Sequence, residues 1–183
     1  MAIIAVDMDN VLCNLQEFVV NLFNKRHGTH YTIENFTDYD VAHNLPKNEA
    51  ILMKTMYRED NLYSNIKPLK GAQNAIEKLI NDGHQVYIVS DVIPKTYEEK
   101  IEWLKFYFPQ IDQAHIVAMK HKHLFRCDVL VEDNLQHLLA KPYYERICFD
   151  YPWNRKVSDY AYNIHRVSNW NEALDVINKL ELE

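Results

Sequence analysis

The chain has 183 residues, enough for one domain or one domain with a modest insertion. A formal net charge of −6 lacks the basic footprint of a protein that wraps polymeric nucleic acid. No apolar stretch is long enough to cross a bilayer, so no membrane partner is expected.

The three cysteines, Cys13, Cys127 and Cys148, show no C-x-x-C spacing. That pattern fits free thiols in a reducing, cytoplasmic setting rather than a disulfide or zinc framework. The N-terminus runs straight into a strand with no basic n-region, so no signal peptide is expected. With only three glycines, the chain has neither G-x-x-x-x-G-K nor G-x-G-x-x-G, which excludes the glycine-rich phosphate loops. The sequence leaves a monomer and a homodimer both open.

The first elements carry the strongest signal. Ala2 to Val6 is an apolar run suited to a strand buried on both faces, and it ends abruptly in Asp7-Met8-Asp9-Asn10. Ligands of open α/β sheets bind outside the carboxyl ends of strands. Two acids one residue apart at such an end are costly to bury without a positive partner, and a hard, oxygen-seeking cation such as Mg²⁺ suits them. An isolated D-x-D is equally compatible with a loop and a helix cap, so the rest of the chain must decide.

A helix follows at about Leu15 to Lys25, with Phe18, Val19, Leu22 and Phe23 on one stripe. Residues 28–65 break the rhythm. They are rich in Tyr, Asn, Asp and His, with short helical stretches such as Glu49 to Tyr57. The aromatics Tyr31, Phe36, Tyr39, Tyr57 and Tyr63 read mostly as a small core, with lining of a pocket for a planar base as the alternative.

Alternation then resumes. A helix spans Ala72 to Asn81 and is closed by Asp82-Gly83. A strand covers Gln85 to Val89 and ends at Ser90-Asp91. A helix over Lys95 to Phe108 stops at Pro109. Short strands follow at His115 to Val117, at Asp128 to Val131 ahead of Glu132-Asp133-Asn134, at Arg146 to Phe149 and at His165 to Val167. A short helix runs through Leu139, and Asn169-x-x-Glu172 opens a last helix to about Leu180. Strands alternating with helices predict an α/β fold with a doubly wound parallel sheet.

Three predicted strands thus end in polar groups, at Asp7/Asp9, Ser90/Asp91 and Glu132/Asp133, with Lys122 in the loop before the third. In a parallel sheet these ends share one edge. Carboxylates, a hydroxyl, an ammonium and an acidic pair form the inventory for phosphoryl transfer, in which charge is neutralised by cations and a carboxylate can attack phosphorus. Singly, each has a plainer reading. Ser90 could cap a helix, Lys122 could be solvated, and Glu132-Asp133 could be helix-start acids. His121 and His123 suggest a metal clip, but with no further ligand pattern they read as loop residues.

DMDNVL, VSD, Lys122 and DVLVEDN resemble, in order, the four motifs of haloacid dehalogenase-like phosphatases. DNLYSNIKPLKGA at 60–72, the interval from Lys122 to Glu132-Asp133, and PWNR at 152–155 resemble the 5′(3′)-deoxyribonucleotidase family more specifically. The resemblance implies a core formed by residues 1–13 and 67–183, with a small helical cap at 14–66 inserted after the first strand. It implies Asp7 as nucleophile and Asp9 as general acid and base. Ser90 and Lys122 would hold phosphate, and Mg²⁺ would be bound by Asp7, the Asp9 backbone carbonyl and Asp133, with Glu132 supporting from beside the site. The implied substrate is a small nucleoside monophosphate, a deoxyribonucleotide within this family.

Three positions depart from the family pattern. Asn10 stands where Gly is usual, but Asn tolerates a left-handed backbone. Asp91 replaces a small hydroxyl residue, which would repel phosphate unless it points away. Glu132 replaces Asp in the acidic pair. Two rivals share the implied scaffold: a phosphatase for another small phosphate ester, and a non-catalytic phosphate-binding protein. A phosphoacceptor receiver domain also uses strand-end Asp, Ser and Lys, but the order of Lys122 and the long insert count against it.

Overall fold

The strand β1 (Ile3–Val6) lies inside the sheet, pairing in parallel with β2 (Gln85–Ser90) on one side and β4 (Val129–Glu132) on the other. This computed structural model describes residues 1–140 and 143–180; residues 141–142 and 181–183, which the sequence reading assigns to the core, lie outside the described residues. With β3 (Ile116–Ala118), β5 (Glu145–Phe149) and β6 (Ile164–Val167) the sheet has six strands in the order β3-β2-β1-β4-β5-β6, all parallel. The order reverses direction between β1 and β4, and such a switch point opens a crevice at the carboxyl ends of the strands.

The apolar run explains the position of β1. Ile4 and Val6 pack into the larger core cluster on one face, while Ala5 belongs to the cluster on the other. This is the period-two alternation of a strand covered on both sides.

Helices complete the layers. α1 (Leu15–His27) ends where Gly28 takes φ 67° and returns its N–H to Asn24. α2 is Lys47–Met56, and α3 is Ala72–Asn81 as the sequence predicts. Gly71, just before α3, has φ 85° and would place a Cβ 3.6 Å from Trp170 Cβ, so its backbone conformation rather than the space calls for glycine. α4 is Tyr97–Tyr107, α5 is Leu135–Ala140, α6 is Asp159–Tyr162 and α7 is Trp170–Ile177. Asn169 caps α7 by accepting from the Glu172 N–H.

Several boundaries differ from the expected ones. The helix predicted from Lys95 begins as a separate 3-10 turn, Pro94–Thr96, before α4. β3 and β4 each end one residue later, because Ala118 pairs with Ser90 and Glu132 with Cys148. The four-residue α6 was not expected; its signals are local, a Ser158 cap and Asn163 at φ 50°.

Residues 14–66 lie between β1 and α3 and contain α1, α2 and short 3-10 turns at Ile33–Asn35, Val41–His43 and Tyr63–Asn65. Two indoles fasten the chain at either side of this segment. Trp170 Nε1 donates to the Val11 carbonyl at 2.8 Å, and Trp103 Nε1 donates to the Ile66 carbonyl at 2.8 Å.

Candidate active site

The loop after β1 folds tightly on itself. Leu12 N and Cys13 N both donate to the Met8 carbonyl, at 2.8 and 3.0 Å. Asn10 adopts φ 60°, the left-handed conformation that Asn tolerates. Its side chain joins two walls of the site: Nδ2 donates to Asp133 Oδ2 at 3.0 Å and Oδ1 accepts from Gln16 N at 2.9 Å.

Two charged groups flank this loop. In the first, Lys122 Nζ lies 2.6 Å from Asp7 Oδ1 and 2.8 Å from Glu132 Oε2, all three being buried. Asp7, Glu132 and Asp133 each present a carboxylate oxygen within 4.8 Å of the others. Glu132 also accepts the N–H groups of Asp133 and Asn134 through Oε1, at 3.1 and 3.2 Å. Glu132 is therefore integral to this group rather than beside it, since the longer arm reaches back to Lys122. Burial, then Glu132, pushes the Asp7 carboxyl well above its ordinary range, against the opposing pull of Lys122. Burial and the neighbouring Asp7 raise Asp133 to about 7. For Lys122 burial works downward, but Asp7 and Glu132 outweigh it and hold the ammonium protonated.

Three carboxylates against one ammonium leave this group short of positive charge. Asp133 Oδ1 is buried and has no hydrogen-bond partner among the described residues. An all-oxygen donor set with an orphan carboxylate oxygen fits a hard divalent cation.

The second group surrounds Asp9. Lys100 Nζ lies 2.7 Å from Asp9 Oδ2, and Tyr63 OH donates to Asp9 Oδ1 at 2.8 Å. Lys100 also donates to Ser90 Oγ at 2.9 Å and to the Asp91 carbonyl at 2.7 Å. Nothing in the sequence singles out Lys100, and Tyr63 stands there only among the aromatics of residues 28–65, not as a partner of Asp9. In sequence Lys100 sits among Glu98, Glu99 and Glu102 on a charged helix, and nothing local separates a buried lysine from a solvated one.

All six expected residues, Asp7, Asp9, Ser90, Lys122, Glu132 and Asp133, thus gather around the carboxyl ends of β1, β2 and β4. Asp91 is exposed and borders the same cavity, and its backbone carbonyl is held by Lys100.

A cavity of about 450 Å³ opens above Asp9, Asn10 and Lys100. Phe36, Tyr39, Tyr57 and Tyr63 of the 14–66 segment line it, together with Trp153. Most of these aromatics belong to the core, as expected: Phe36 and Tyr63 lie in the main hydrophobic cluster, and Tyr31 and Tyr57 pack against it. Four of the five border the cavity, and Phe36 and Tyr63 are at the same time buried. Trp153 stacks on Tyr151 with centroids 4.5 Å apart and planes at 3°. The loop carrying Trp153 is tied to the carboxylate group by Asn154, which is fully buried. Its Nδ2 donates to the Asp133 and Phe149 carbonyls at 2.9 and 2.8 Å.

An all-parallel sheet with β1 ending in Asp7 and Asp9, an insert directly behind it, and Lys122, Glu132 and Asp133 gathered alongside defines a haloacid dehalogenase-like phosphatase. Solved structures share the fold. A haloacid dehalogenase-like hydrolase of Streptococcus pneumoniae superposes with TM-score 0.65 at 13% identity, covering 97% of this chain and 98% of that one. A hydrolase of Deinococcus radiodurans of the same class, with bound phosphate and sodium, gives 0.63 at 15% identity, covering 98% and 97%. The sequence profile of the family "5′ nucleotidase, deoxy (Pyrimidine), cytosolic type C" matches residues 1–182, and the chain belongs to that family. Relatives agree. The 5′(3′)-deoxyribonucleotidase of Bacillus subtilis is 27% identical over 174 residues, covering 93% of this chain and 95% of that one. A Staphylococcus epidermidis protein provisionally given the same name is 28% identical over 180 residues, 97% of each. The chain is therefore an enzyme, a hydrolase of phosphoric monoesters.

Proposed function

We propose that the protein dephosphorylates nucleoside monophosphates, specifically 5′(3′)-deoxyribonucleotides, through a Mg²⁺-dependent aspartyl-phosphate route. The observation that carries this reading is the convergence of the Asp7–Lys122–Glu132–Asp133 and Asp9–Lys100–Ser90 groups at the carboxyl ends of β1, β2 and β4, with Asp9 and Lys100 also lining an aromatic-walled cavity. The names of the relatives support the substrate class.

In this scheme Asp7 attacks phosphorus. A bond forms between its carboxylate oxygen and phosphorus while the ester P–O bond breaks, and Asp9 gives a proton to the departing sugar oxygen. Asp9, again a base, then takes a proton from water, which attacks the aspartyl-phosphate, releases inorganic phosphate and restores Asp7. Tyr63 and Lys100 fix the orientation of Asp9 for both halves. Lys122 stays against Asp7 and offsets the negative charge of the transferring group, while Ser90 and Lys100 hold its other side. Mg²⁺, held by Asp7, Asp133 and the Asp9 carbonyl, would supply further charge neutralisation. The 14–66 segment acts as the cap, with Phe36, Tyr39 and Tyr57, together with Trp153, lining a space suited to a planar base and its sugar. The volume lies within the roughly 300–1,000 Å³ of small-molecule sites.

The test is phosphate release from a panel of 5′- and 3′-, deoxy- and ribonucleoside monophosphates together with sugar phosphates, in Mg²⁺ and in EDTA. Mg²⁺-dependent release concentrated on deoxynucleotides is expected. Release mainly from sugar phosphates overturns the nucleotide reading while leaving the phosphatase class in place.

A further inference from the structure

Gln16 is the second residue of α1, and both its backbone and its side chain are held in place. Gln16 N donates to Asn10 Oδ1 at 2.9 Å, and Asn10 in turn reaches Asp133. At the other end, Tyr57 donates its hydroxyl to Gln16 Oε1. Burial, chiefly, pushes the Tyr57 phenol well above its ordinary range, so the hydroxyl keeps the proton it donates. A primary amide carries two N–H donors on the nitrogen beside its oxygen, so engaging Oε1 sets the direction of Nε2. Nε2 has no hydrogen-bond partner among the described residues, and it is not one of the unpaired atoms closed off from solvent. Gln16 is otherwise buried and lines the cavity of about 450 Å³, so this donor opens onto that space. Other donors lining the cavity are engaged within the protein. Lys54 pairs with Asp40 and Lys100 with Asp9, both at 2.7 Å, and Thr96 Oγ1 donates to the Ile93 carbonyl at 3.1 Å.

We infer that Gln16 determines specificity for the nucleoside part of the substrate. Its Nε2–H donates to an uncharged oxygen acceptor there, a sugar hydroxyl or a base carbonyl, and Tyr57 is the positioning residue that aims the amide. This rests on the nucleotide reading above. The amide is neutral and suits a neutral acceptor, whereas the phosphate oxygens have Lys122, Lys100 and Ser90 to serve them. Gln16 is also tied at both ends of the space a nucleotide would fill. Through Asn10 its backbone is fastened to the loop that carries Asp7 and Asp9, and through Tyr57 its side chain is fastened to the aromatic part of the cavity. The donor discriminates by what happens when water leaves. A substrate that brings an oxygen to Nε2 replaces the lost water, while one that brings only carbon leaves a desolvated N–H without a partner.

The test compares kcat/KM for thymidine 5′-monophosphate with that for phenyl phosphate, whose leaving group has a ring but no hydroxyl or carbonyl beyond the ester. Wild type, Gln16→Leu and Gln16→Glu are measured side by side. Leu keeps the bulk without the donor; Glu keeps the shape and the bond from Tyr57 but offers acceptors alone. The ratio of nucleotide to phenyl phosphate should fall about 3–10-fold in Gln16→Leu, the span of one neutral hydrogen bond, and at least as far in Gln16→Glu. Tyr57→Phe should lower the ratio less, because the amide remains and only its aim is lost. Thermal unfolding checks that each variant is folded. The same series on 2′,3′-dideoxythymidine 5′-monophosphate assigns the acceptor: a Gln16 effect that vanishes there names the 3′-hydroxyl, and one that persists names a base carbonyl. A ratio unchanged in Gln16→Leu, or kept at the wild-type value in Gln16→Glu, overturns the inference, as does a parallel loss on both substrates. Wild type that turns over phenyl phosphate but no nucleotide fails the nucleotide reading itself, and that result is seen before any variant is compared.

Discussion

Lys100 reaches from the middle of α4 to Asp9, its Nζ 2.7 Å from Oδ2, and it is almost completely buried there. The same ammonium holds Ser90 Oγ and the Asp91 carbonyl, and it lies 5.4 Å from the centroid of the Tyr63 ring. One side chain thus ties β2, the loop after β1, and the end of the 14–66 segment. An arriving phosphate dianion would share this cation with Asp9. Lys100→Met should therefore lower kcat/KM by about 10²–10³, the loss for one preorganised electrostatic group. Steady-state kinetics with circular dichroism checks this. A change in KM alone would remove Lys100 from transition-state stabilisation.

Asp7→Asn separates chemistry from stability. An amide cannot attack phosphorus, so turnover should fall by at least about 10³-fold on the scale of lost nucleophiles. The metal-free protein should meanwhile be at least as stable as wild type. The substitution removes one of three crowded, buried carboxylates, while Lys122 keeps its 2.8 Å pair with Glu132. Phosphate release and Tm in EDTA are the two readouts. A large drop in Tm would mean that Asp7 is chiefly structural.

The legible parts of this molecule were those whose signal is local. The apolar run of β1 ends in acids, and two further strands of the same parallel sheet end in polar groups on the same edge. Asn10 has the side chain that its left-handed backbone tolerates, and α3 is bracketed by Gly71 and Asp82-Gly83, so its bounds came out as observed. Lys100, and the bond from Tyr63 to Asp9, were illegible because burial and contact are tertiary properties. A lysine in Glu98-Glu99-Lys100 carries the same local pattern whether it faces water or Asp9. Which core aromatics of the 14–66 segment also border the cavity was hidden for a related reason: composition shows that they leave water, not whether one edge of a packed ring also meets an open space.

Asn154 joins the late loop to the carboxylate group and is fully buried. Its amide donates to the Asp133 and Phe149 carbonyls, and its Oδ1 accepts from Tyr151 N at 3.2 Å and from Arg166. Asn154→Ala removes the side-chain partner of the Asp133 and Phe149 carbonyls and of Tyr151 N, while Arg166 keeps Asp150 and Asp159. It should destabilise the fold by about 2–4 kcal/mol, more than one hydrogen bond, because each orphaned buried group adds its own desolvation cost. Urea unfolding checks the magnitude. Asp133 should also lose part of its positioning, so the Mg²⁺ concentration needed for half-maximal activity should rise in the same variant.

His137 predicts an acid-side loss of stability. Burial, chiefly, with Lys122, His123 and His121, lowers its folded pKa to about 4, and the field of Asp91 only partly opposes this. Between pH 4 and the unfolded value of about 6.5, the unfolded chain binds more protons than the native one, so stability rises with pH across that window. The contribution is fully present above about 6.5 and is lost as the pH falls toward 4. The carboxyls of Asp7, Glu132 and Asp133, raised by burial, act with the opposite sign in the metal-free protein, so the histidine term must be isolated by difference. Urea midpoints in EDTA at pH 7 and pH 5 should show wild type losing on the order of 1 kcal/mol more than His137→Gln, a figure discounted for the ring's partial exposure. An equal loss in both proteins would mean that His137 titrates normally in the native state.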